Sequence, residues 1–323
     1  MLVLSAKDVG EAMDYVSLTS ALRQAFRSQI VTPVRHHHTI DLPDQANATL
    51  LMMPAWKDAK AVGTSSGGYL GIKILTVYPD NETRALKPSI LGTYLLLDGA
   101  NGEVKAILDG PTLTVWRTAC ASALAADFLA RPDSASLLMV GTGALSSHLI
   151  RAHCAVRPIK KVTIWGRNPE KAMALSERVA DLGLDICVTE DLEAAAKAAD
   201  VISCATMSPT PIIKGEWLTP GTHLDLVGAF RPDMRESDDE AIRRSRVYVD
   251  TLAGATKEGG DITQPIASNV LDLDDIRGDL FGLCQDKCSA RWGDEDITLF
   301  KSVGTALEDL SAAQYVYEKV SAD

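Results

Sequence analysis

Residues 137–146 read Leu-Leu-Met-Val-Gly-Thr-Gly-Ala-Leu-Ser, a short apolar run that breaks at two closely spaced glycines and passes straight into a helical pattern. A buried strand delivered to a helix through so tight a corner leaves the first helical amides pointing outward, where they can meet an anion. The spacing Gly141-x-Gly143-x-x-Ser146 is that of a dinucleotide-binding turn. Its first glycine makes the corner, its second lets a pyrophosphate approach, and a small third residue lets helix and strand pack closely. A corner needing glycine only for backbone geometry is the plainer alternative. Against it stands a second strand, Lys161–Trp165, at the distance a βαβ unit requires.

That second strand ends in Gly166-Arg167-Asn168, with no carboxylate between Val162 and Pro169. An NAD site normally places Asp or Glu here for the ribose 2′-hydroxyl, whereas a guanidinium suits a 2′-phosphate. The cofactor expected is therefore NADPH, with NADH binding more weakly.

Downstream, Ile186–Val188, Val201–Cys204, His223–Val227 and Arg246–Asp250 read as strands alternating with helices, one opened by Pro169 and one Ala-rich over Leu192–Ala199. That alternation predicts a parallel sheet covered on both faces. Upstream the character differs. Asp8–Arg27 is helical, with Ser17 as a cap for its second half. Val34–Ile40, Thr49–Trp56, Tyr69–Tyr78 and Ser89–Leu97 read as strands, and Gly99-Ala100-Asn101-Gly102 turns the last into Val104–Leu108. The Ala-rich helix Leu113–Leu129 leads out of this part, and Phe300–Val320 reads as a helix returning to it. The fold class is α/β: a Rossmann-type, doubly wound parallel-sheet domain over 115–298, plus an α+β substrate-binding and dimerisation domain over 1–114 with 299–323.

A net charge of −11 argues against a nucleic-acid surface. No apolar run is long enough to span a bilayer, and Met1–Lys7 is too short for a signal peptide. Six scattered cysteines fit reduced thiols and a cytoplasmic protein. No metal is expected: Cys284-x-x-x-Cys288 lacks a second ligand pair, and of His36-His37-His38 at most His36 and His38 share a side of a strand.

In an acidic chain, an anionic ligand must be gathered by local cations. Arg35, Lys73 and Arg117 each lie in apolar surroundings, where an unpartnered charge is costly. Either protein carboxylates satisfy them or they await an anionic substrate, and taken together they favour a carboxylate-binding trio.

These residues, in order, carry a resemblance to the ornithine cyclodeaminase/mu-crystallin family over nearly the whole chain. It rests on Arg35, Met53-Pro54-Ala55, Gly71-Ile72-Lys73, Thr114–Ala119 and Gly141-Thr142-Gly143, then on Val227-Gly228-Ala229 with Pro232 and Glu236, Gly260-Asp261-Ile262, and Ile297–Gly304. The resemblance implies a homodimer built through the N-terminal domain. It implies Lys73 and Arg117 as catalytic residues, with Arg35 joining them on the substrate carboxylate and Met53 and Phe230 also lining the substrate. A small α-amino acid or its imine would then stack on the nicotinamide. It further implies cofactor contacts from Thr118, Gly141, Thr142, Gly143, Ala144, Leu145, Arg167, Asn168, Ala205, Thr206, Val227, Gly228, Ser302 and Gly304.

Two departures select a branch. Where true cyclodeaminases carry a glutamate and an aspartate for the ring-closing chemistry, this chain has Leu51 and Phe230, neither of which can take a proton. Deamination of ornithine is therefore disfavoured. The resemblance points instead to a ketimine reductase, converting Δ1-pyrroline-2-carboxylate or Δ1-piperideine-2-carboxylate to proline or pipecolate. An alanine-type amino acid dehydrogenase, a reductive N-alkylating enzyme and a non-catalytic NADPH-binding protein are the alternatives.

Overall fold

The computed structural model describes residues 1–58, 68–84 and 87–322. The chain forms two compact units, Met1–Arg117 with Thr305–Asp323, and Thr118–Gly304. The boundaries expected at 114 and 298 fall inside a helix, Gly110–Leu129, and at the first residue of a strand, Thr298–Lys301.

In the first unit, β1 (Leu2–Leu4) leads into α1 (Ala6–Ala12) and α2 (Tyr15–Arg27). The helical stretch expected over Asp8–Arg27, with a cap inside it, is two helices whose break falls at Met13–Asp14. Ser5 and Asp8 close a capping box on α1, the chain extends at Met13, and Asp14 starts α2 by accepting from the Ser17 amide at 2.8 Å. Ser17 therefore sits inside the first turn rather than capping it. The carboxylate three residues earlier already satisfies the free amide.

The strands that follow are β2 (Ile30–Val31), β3 (His36–Ile40), β4 (Ala48–Lys57), β5 (Tyr69–Val77), β6 (Ile90–Asp98) and β7 (Val104–Asp109). They form one sheet in the order β1-β7-β6-β5-β4-β2, with β3 also on β4. β4 to β7 are antiparallel neighbours, while β1 joins β7 in parallel. Side chains alternate between faces along each strand. Met53, Lys73, Tyr94 and Leu108 share one register line and are all buried. The next residues over, Pro54, Ile72, Leu95 and Ile107, point the other way and are half-buried. The C-terminal helix, Ala306–Ala322, lies against α2, β4 and β5. Gly71 permits the inner layer to close, because a Cβ there would come within 2.0 Å of the Tyr94 hydroxyl.

The helix α3 (Gly110–Leu129) passes into the second unit. There follow β8 (Ser136–Val140), α4 (Ala144–Val156), β9 (Lys161–Trp165), α5 (Pro169–Arg178), β10 (Asp185–Val188), α6 (Leu192–Ala198), β11 (Val201–Cys204) and β12 (His223–Leu226). After β13 (Arg246–Val249) come α7 (Gly260–Ala267), β14 (Ile276–Asp279) and β15 (Thr298–Lys301). The sheet is parallel throughout, ordered β10-β9-β8-β11-β12-β15-β13-β14. Chain order therefore reverses between β8 and β11, the switch point at which open α/β sheets bind ligands outside the strand C-termini.

The helix expected from Phe300 starts late. Thr298–Lys301 is a fully buried strand inserted between β12 and β13, Gly304 turns at φ +82°, and the helix begins at Ala306. β1 and β14, of three and four residues, are too short for alternation to announce them. Beneath the sheet's surface, Asp225 on β12 gathers Ser122 Oγ of α3 at 2.9 Å, Ser203 Oγ of β11 at 2.7 Å and His153 Nε2 of α4 at 3.2 Å, fixing both helices to the strands.

Candidate active-site residues

The glycine turn lies at the switch point. Gly141 has φ +119°, and a Cβ on it would meet the Ala205 carbonyl oxygen, just past β11, at 2.6 Å. Glycine is thus required twice, by conformation and by space. Gly143 is the N-cap of α4, with no side chain bonding the helix amides and open space where its Cβ would be. Ala144 is exposed, Leu145 half-buried and Ser146 buried against the strand layer. The donor set and the open glycine fit a dinucleotide pyrophosphate at this helix start. At the end of β9, a Cβ on Gly166 would press on Thr142 Cγ2 at 2.6 Å, so this glycine lets the two strand ends close up. Arg167 follows, exposed. Asn168 is exposed as well, and its side chain caps α5 by accepting from the Lys171 amide at 3.1 Å.

Beyond β11 and β12, Ala205, Thr206, Val227 and Gly228 form adjoining strand ends, joined by Glu236. This fully buried carboxylate accepts from the Thr206 amide at 2.6 Å and hydroxyl at 2.8 Å, and from the Gly228 and Ala229 amides at 2.7 and 3.2 Å. Burial pushes its carboxyl up to about 7, against the pull of Lys301. Sequence reasoning quoted Glu236 as part of a motif and gave it no task. Ser302 and Gly304 are buried and turned toward Asp250, whose Oδ2 accepts from Ser302 Oγ at 3.4 Å, Val303 N at 2.8 Å and Gly304 N at 2.6 Å. Thr118, the first residue of this unit, is buried, and Phe230 is 38% exposed.

In the first unit the structure brings the expected cations to acids that sequence reasoning had not singled out. Lys73 on β5 and Arg117 on α3 are both buried, and both meet Asp309 of the C-terminal helix. Lys73 Nζ donates to Asp309 Oδ1 at 2.8 Å and lies 2.7 Å from Oδ2, while Arg117 Nε donates to Oδ1 at 2.9 Å. Arg117 Nη1 reaches Glu308 Oε2 at 2.6 Å. Of the two possibilities open at the sequence level, protein carboxylates thus do engage these cations.

Burial drives the Lys73 ammonium down to about 8, helped by Arg117 and by Arg35, against the pull of Asp309. Burial opposes the Asp309 charge too, yet Arg117 and Lys73 hold its carboxyl below the usual range. Arg35 stands just before β3, half-buried. The strand register places His37 opposite Leu51, on the Met53–Lys73 side of the sheet, whereas His36 and His38 pair with Met52 and Leu50 on the other. The rings of His36 and His38 lie 6.5 Å apart. Among the described residues, no three His, Cys, Asp or Glu side chains converge to hold a metal.

A parallel sheet with a glycine corner at its switch point, joined in one chain to a unit holding buried cations, defines a dinucleotide-dependent enzyme class. Comparison with known proteins narrows it. The model of the ornithine cyclodeaminase/mu-crystallin family matches residues 1–323. A Δ1-pyrroline-2-carboxylate reductase of Colwellia psychrerythraea is 35% identical over 328 residues, covering 99% of this chain and 100% of that protein. One of Paracoccus denitrificans is 41% identical over 250 residues, 77% of this chain and 78% of the relative. The solved structure of the Thermococcus litoralis Δ1-pyrroline-2-carboxylate reductase with NADH and L-proline superposes with a TM-score of 0.90 at 32% identity, covering 100% of this chain and 98% of that one. The chain belongs to the ornithine cyclodeaminase/mu-crystallin family. Its named relatives reduce a C=N bond, and the chain is an oxidoreductase of that class.

Proposed function

We propose that the chain reduces a cyclic ketimine carboxylate with NADPH, taking Δ1-pyrroline-2-carboxylate, Δ1-piperideine-2-carboxylate or both to L-proline and L-pipecolate. One juxtaposition carries the reading. Lys73 is held charged opposite the buried Met53, on a sheet face where Leu51 stands in place of an acid, and it shares Asp309 with Arg117 of α3. Cations for a carboxylate and apolar walls for ring methylenes suit a compact imino acid. A substrate with a second amine would find no carboxylate at Leu51 or Phe230 to pair with it.

When bound, the reduced nicotinamide supplies the hydride. The amides at the start of α4 take the pyrophosphate, and Arg167 takes the 2′-phosphate. Arg35, Lys73 and Arg117 hold the substrate carboxylate and so fix the position of the C=N carbon. Glu308 and Asp309 keep Lys73 and Arg117 charged and in place. The imine enters already protonated, so the chain is asked for orientation rather than for a strong acid. The bound NADH in the Thermococcus structure supports a nicotinamide cofactor, and Arg167 supports the NADPH preference within it.

The same reading makes the protein a homodimer through the outer face of the first sheet. Pro54, Ile72, Leu95 and Ile107 form an apolar row there with Val3, 71% exposed, at its end. A face of that composition on a sheet marks an interaction surface. Six free thiols suit a cytoplasmic setting. Among the described residues, no helix is long and apolar enough to cross a membrane.

The decisive assay is NADPH oxidation on adding each cyclic imine, with the product identified by chiral chromatography. Turnover to the L-imino acid is expected. No turnover with either ring, alongside oxidation with pyruvate and ammonia or methylamine, would overturn the proposal. Arg167→Ala should weaken NADPH binding about tenfold, the scale of one charge-assisted contact, and leave NADH unchanged. Equal effects on both cofactors would refute the role given to Arg167.

A further inference from the structure

Glu236 does none of the chemistry proposed above, yet it is fully buried and its carboxylate accepts from four donors at once. Those donors belong to two different strand ends. Oε1 takes the amide and hydroxyl of Thr206 after β11, and Oε2 takes the amides of Gly228 and Ala229 after β12. The two segments pack so closely that a Cβ on Gly228 would stand 1.9 Å from the Thr206 carbonyl oxygen and 2.6 Å from Glu236 Oε1. Side chains are excluded at that contact, and a carboxylate does the joining.

Glu236 is itself fixed from behind. Its amide and that of Ser237 donate to Asp261 Oδ1 on α7 at 2.8 and 3.1 Å, and its carbonyl accepts from Ile212 and Ile213, each at 2.9 Å. Asp261 Oδ2 in turn lies 3.1 Å from Lys301 Nζ on β15. A buried acid held this firmly sets the separation of whatever binds it.

In a doubly wound sheet, one mononucleotide half lies over the strands on each side of the switch point. The glycine turn and Arg167 lie after β8 and β9, the adenosine half. The ends of β11 and β12 are the rim for the other half. We propose that Glu236 is a positioning residue for the nicotinamide half of the cofactor, acting through the Thr206 and Gly228–Ala229 backbone that its carboxylate ties together. Glu236 touches no ligand itself. Its effect is to hold two loops at the spacing the nicotinamide ribose and ring require. The inference rests on the dinucleotide reading of the second unit.

The chemistry of the joint dictates the variants. Glu236→Gln replaces one acceptor oxygen by an NH2 that would point at backbone N–H donors, so at least one strand end must move. Glu236→Asp keeps the charge but is a methylene short, so it can satisfy one end and only partly the other. The measurements are affinities, by fluorescence titration for NADPH and by calorimetry for 2′,5′-ADP, which engages only the adenosine half. Both are made on the full-length protein beside its thermal midpoint and its kinetics.

Expected for Glu236→Gln is at least a tenfold loss of NADPH affinity with 2′,5′-ADP binding within twofold of the parent protein. Glu236→Asp should fall between. With NADPH saturating, kcat should drop while the imine KM stays within about twofold, because Lys73 and Arg117 are untouched. Equal losses for NADPH and 2′,5′-ADP would overturn the proposal, since they would make Glu236 a general support of the unit. Unchanged NADPH affinity in both variants would overturn it too. Failure of the parent protein to bind either ligand would instead refute the dinucleotide reading, which separates the two outcomes. If Glu236→Gln does not fold, Glu236→Asp alone carries the same comparison, with the same expected split at smaller size.

Discussion

Replacing Arg117 by methionine tests the charge accounting of the first unit. Lys73, Arg117, Glu308 and Asp309 form a buried set of two cations and two anions, with side-chain exposures of 1%, 6%, 0% and 0%. Methionine matches much of the arginine's stem but removes one positive charge, leaving the set with a net negative charge out of water. Breaking a buried pair from one side costs about 3–5 kcal/mol, against a whole-protein stability of roughly 5–15 kcal/mol. At about 2–4 °C per kcal/mol, the thermal midpoint should fall by roughly 6–20 °C at neutral pH. The pH dependence distinguishes charge from packing. In the variant, one of the two acids is better off protonated, so its folded pKa rises above its unfolded value. The folded state then binds more protons than the unfolded one, and stability falls as pH rises through that window. The deficit should therefore be small near pH 5 and full at pH 7–8. In the parent protein Asp309 is held below its ordinary range, so its contribution has the opposite sign and is lost only in acid. Thermal melts from pH 5 to 8 on the parent, Arg117→Met, and Arg117→Met with Glu308→Gln measure this. The double variant should recover part of the loss. A deficit that is constant across pH and unrelieved by Glu308→Gln would show that Arg117 matters here for its volume.

Lys73, pushed down to about 8, should lose its proton well before an ordinary lysine, so carboxylate binding should weaken above pH 8. Cyclopentene-1-carboxylate, which has no imine nitrogen of its own to titrate, isolates this effect in a binding titration. A flat affinity from pH 7 to 9.5 would remove Lys73 from the carboxylate site. In sedimentation velocity the parent should run as the proposed dimer and Ile72→Glu, placed mid-row on the outer sheet face, as a monomer; a dimer that persists in the variant would move the interface elsewhere.

The second unit was legible because its signals are local. A strand ending in Gly141-x-Gly143 and a strand ending in Gly166-Arg167 state their own geometry, as the positive φ at Gly141 and the close approach of Thr142 to Gly166 bear out. β8 and β11 are legible as short apolar runs, whereas β9 and β12 alternate polar and apolar residues and are legible by that alternation and by their spacing from the helices. Where tertiary context decided, the pattern misled. Thr298–Lys301 has the composition of a helix start and becomes a strand because the sheet has a place for it between β12 and β13. The acids escaped notice for the same reason. Glu308 and Asp309 lie more than 190 positions from Arg117 and more than 230 from Lys73. Two adjacent acids in Ala306-Leu307-Glu308-Asp309-Leu310-Ser311-Ala312-Ala313 were the available hint, since so apolar a helix has to be buried on more than one side. Glu236 offered less, because one glutamate among Asp233, Asp238, Asp239 and Glu240 looks like any solvated acid until its four donors are seen.

Under the proposed function the acids raise a question of design, since a site that collects an anion gains nothing obvious from buried carboxylates. The answer lies in what Lys73 and Arg117 would do without them. Burial, helped by Arg117 and Arg35, already takes Lys73 down to about 8 with Asp309 beside it; without that carboxylate the ammonium would be driven lower still. Arg117 cannot shed its proton and would have to swing toward water. Asp309, bridging Nζ of the one and Nε of the other, keeps both charged and holds them at a fixed separation, and Glu308 fixes the plane of the guanidinium through Nη1. Under the proposed function, Arg35 is the third cation that meets the substrate carboxylate. The second unit reaches the same end by another route. There the donors are backbone amides, which carry no net charge and need no counter-ion, and the buried acid Glu236 spaces them. If both proposals hold, a carboxylate in each unit sets the geometry of the groups that bind, so substitutions at Asp309 and Glu236 should disturb positioning before they disturb the chemistry itself.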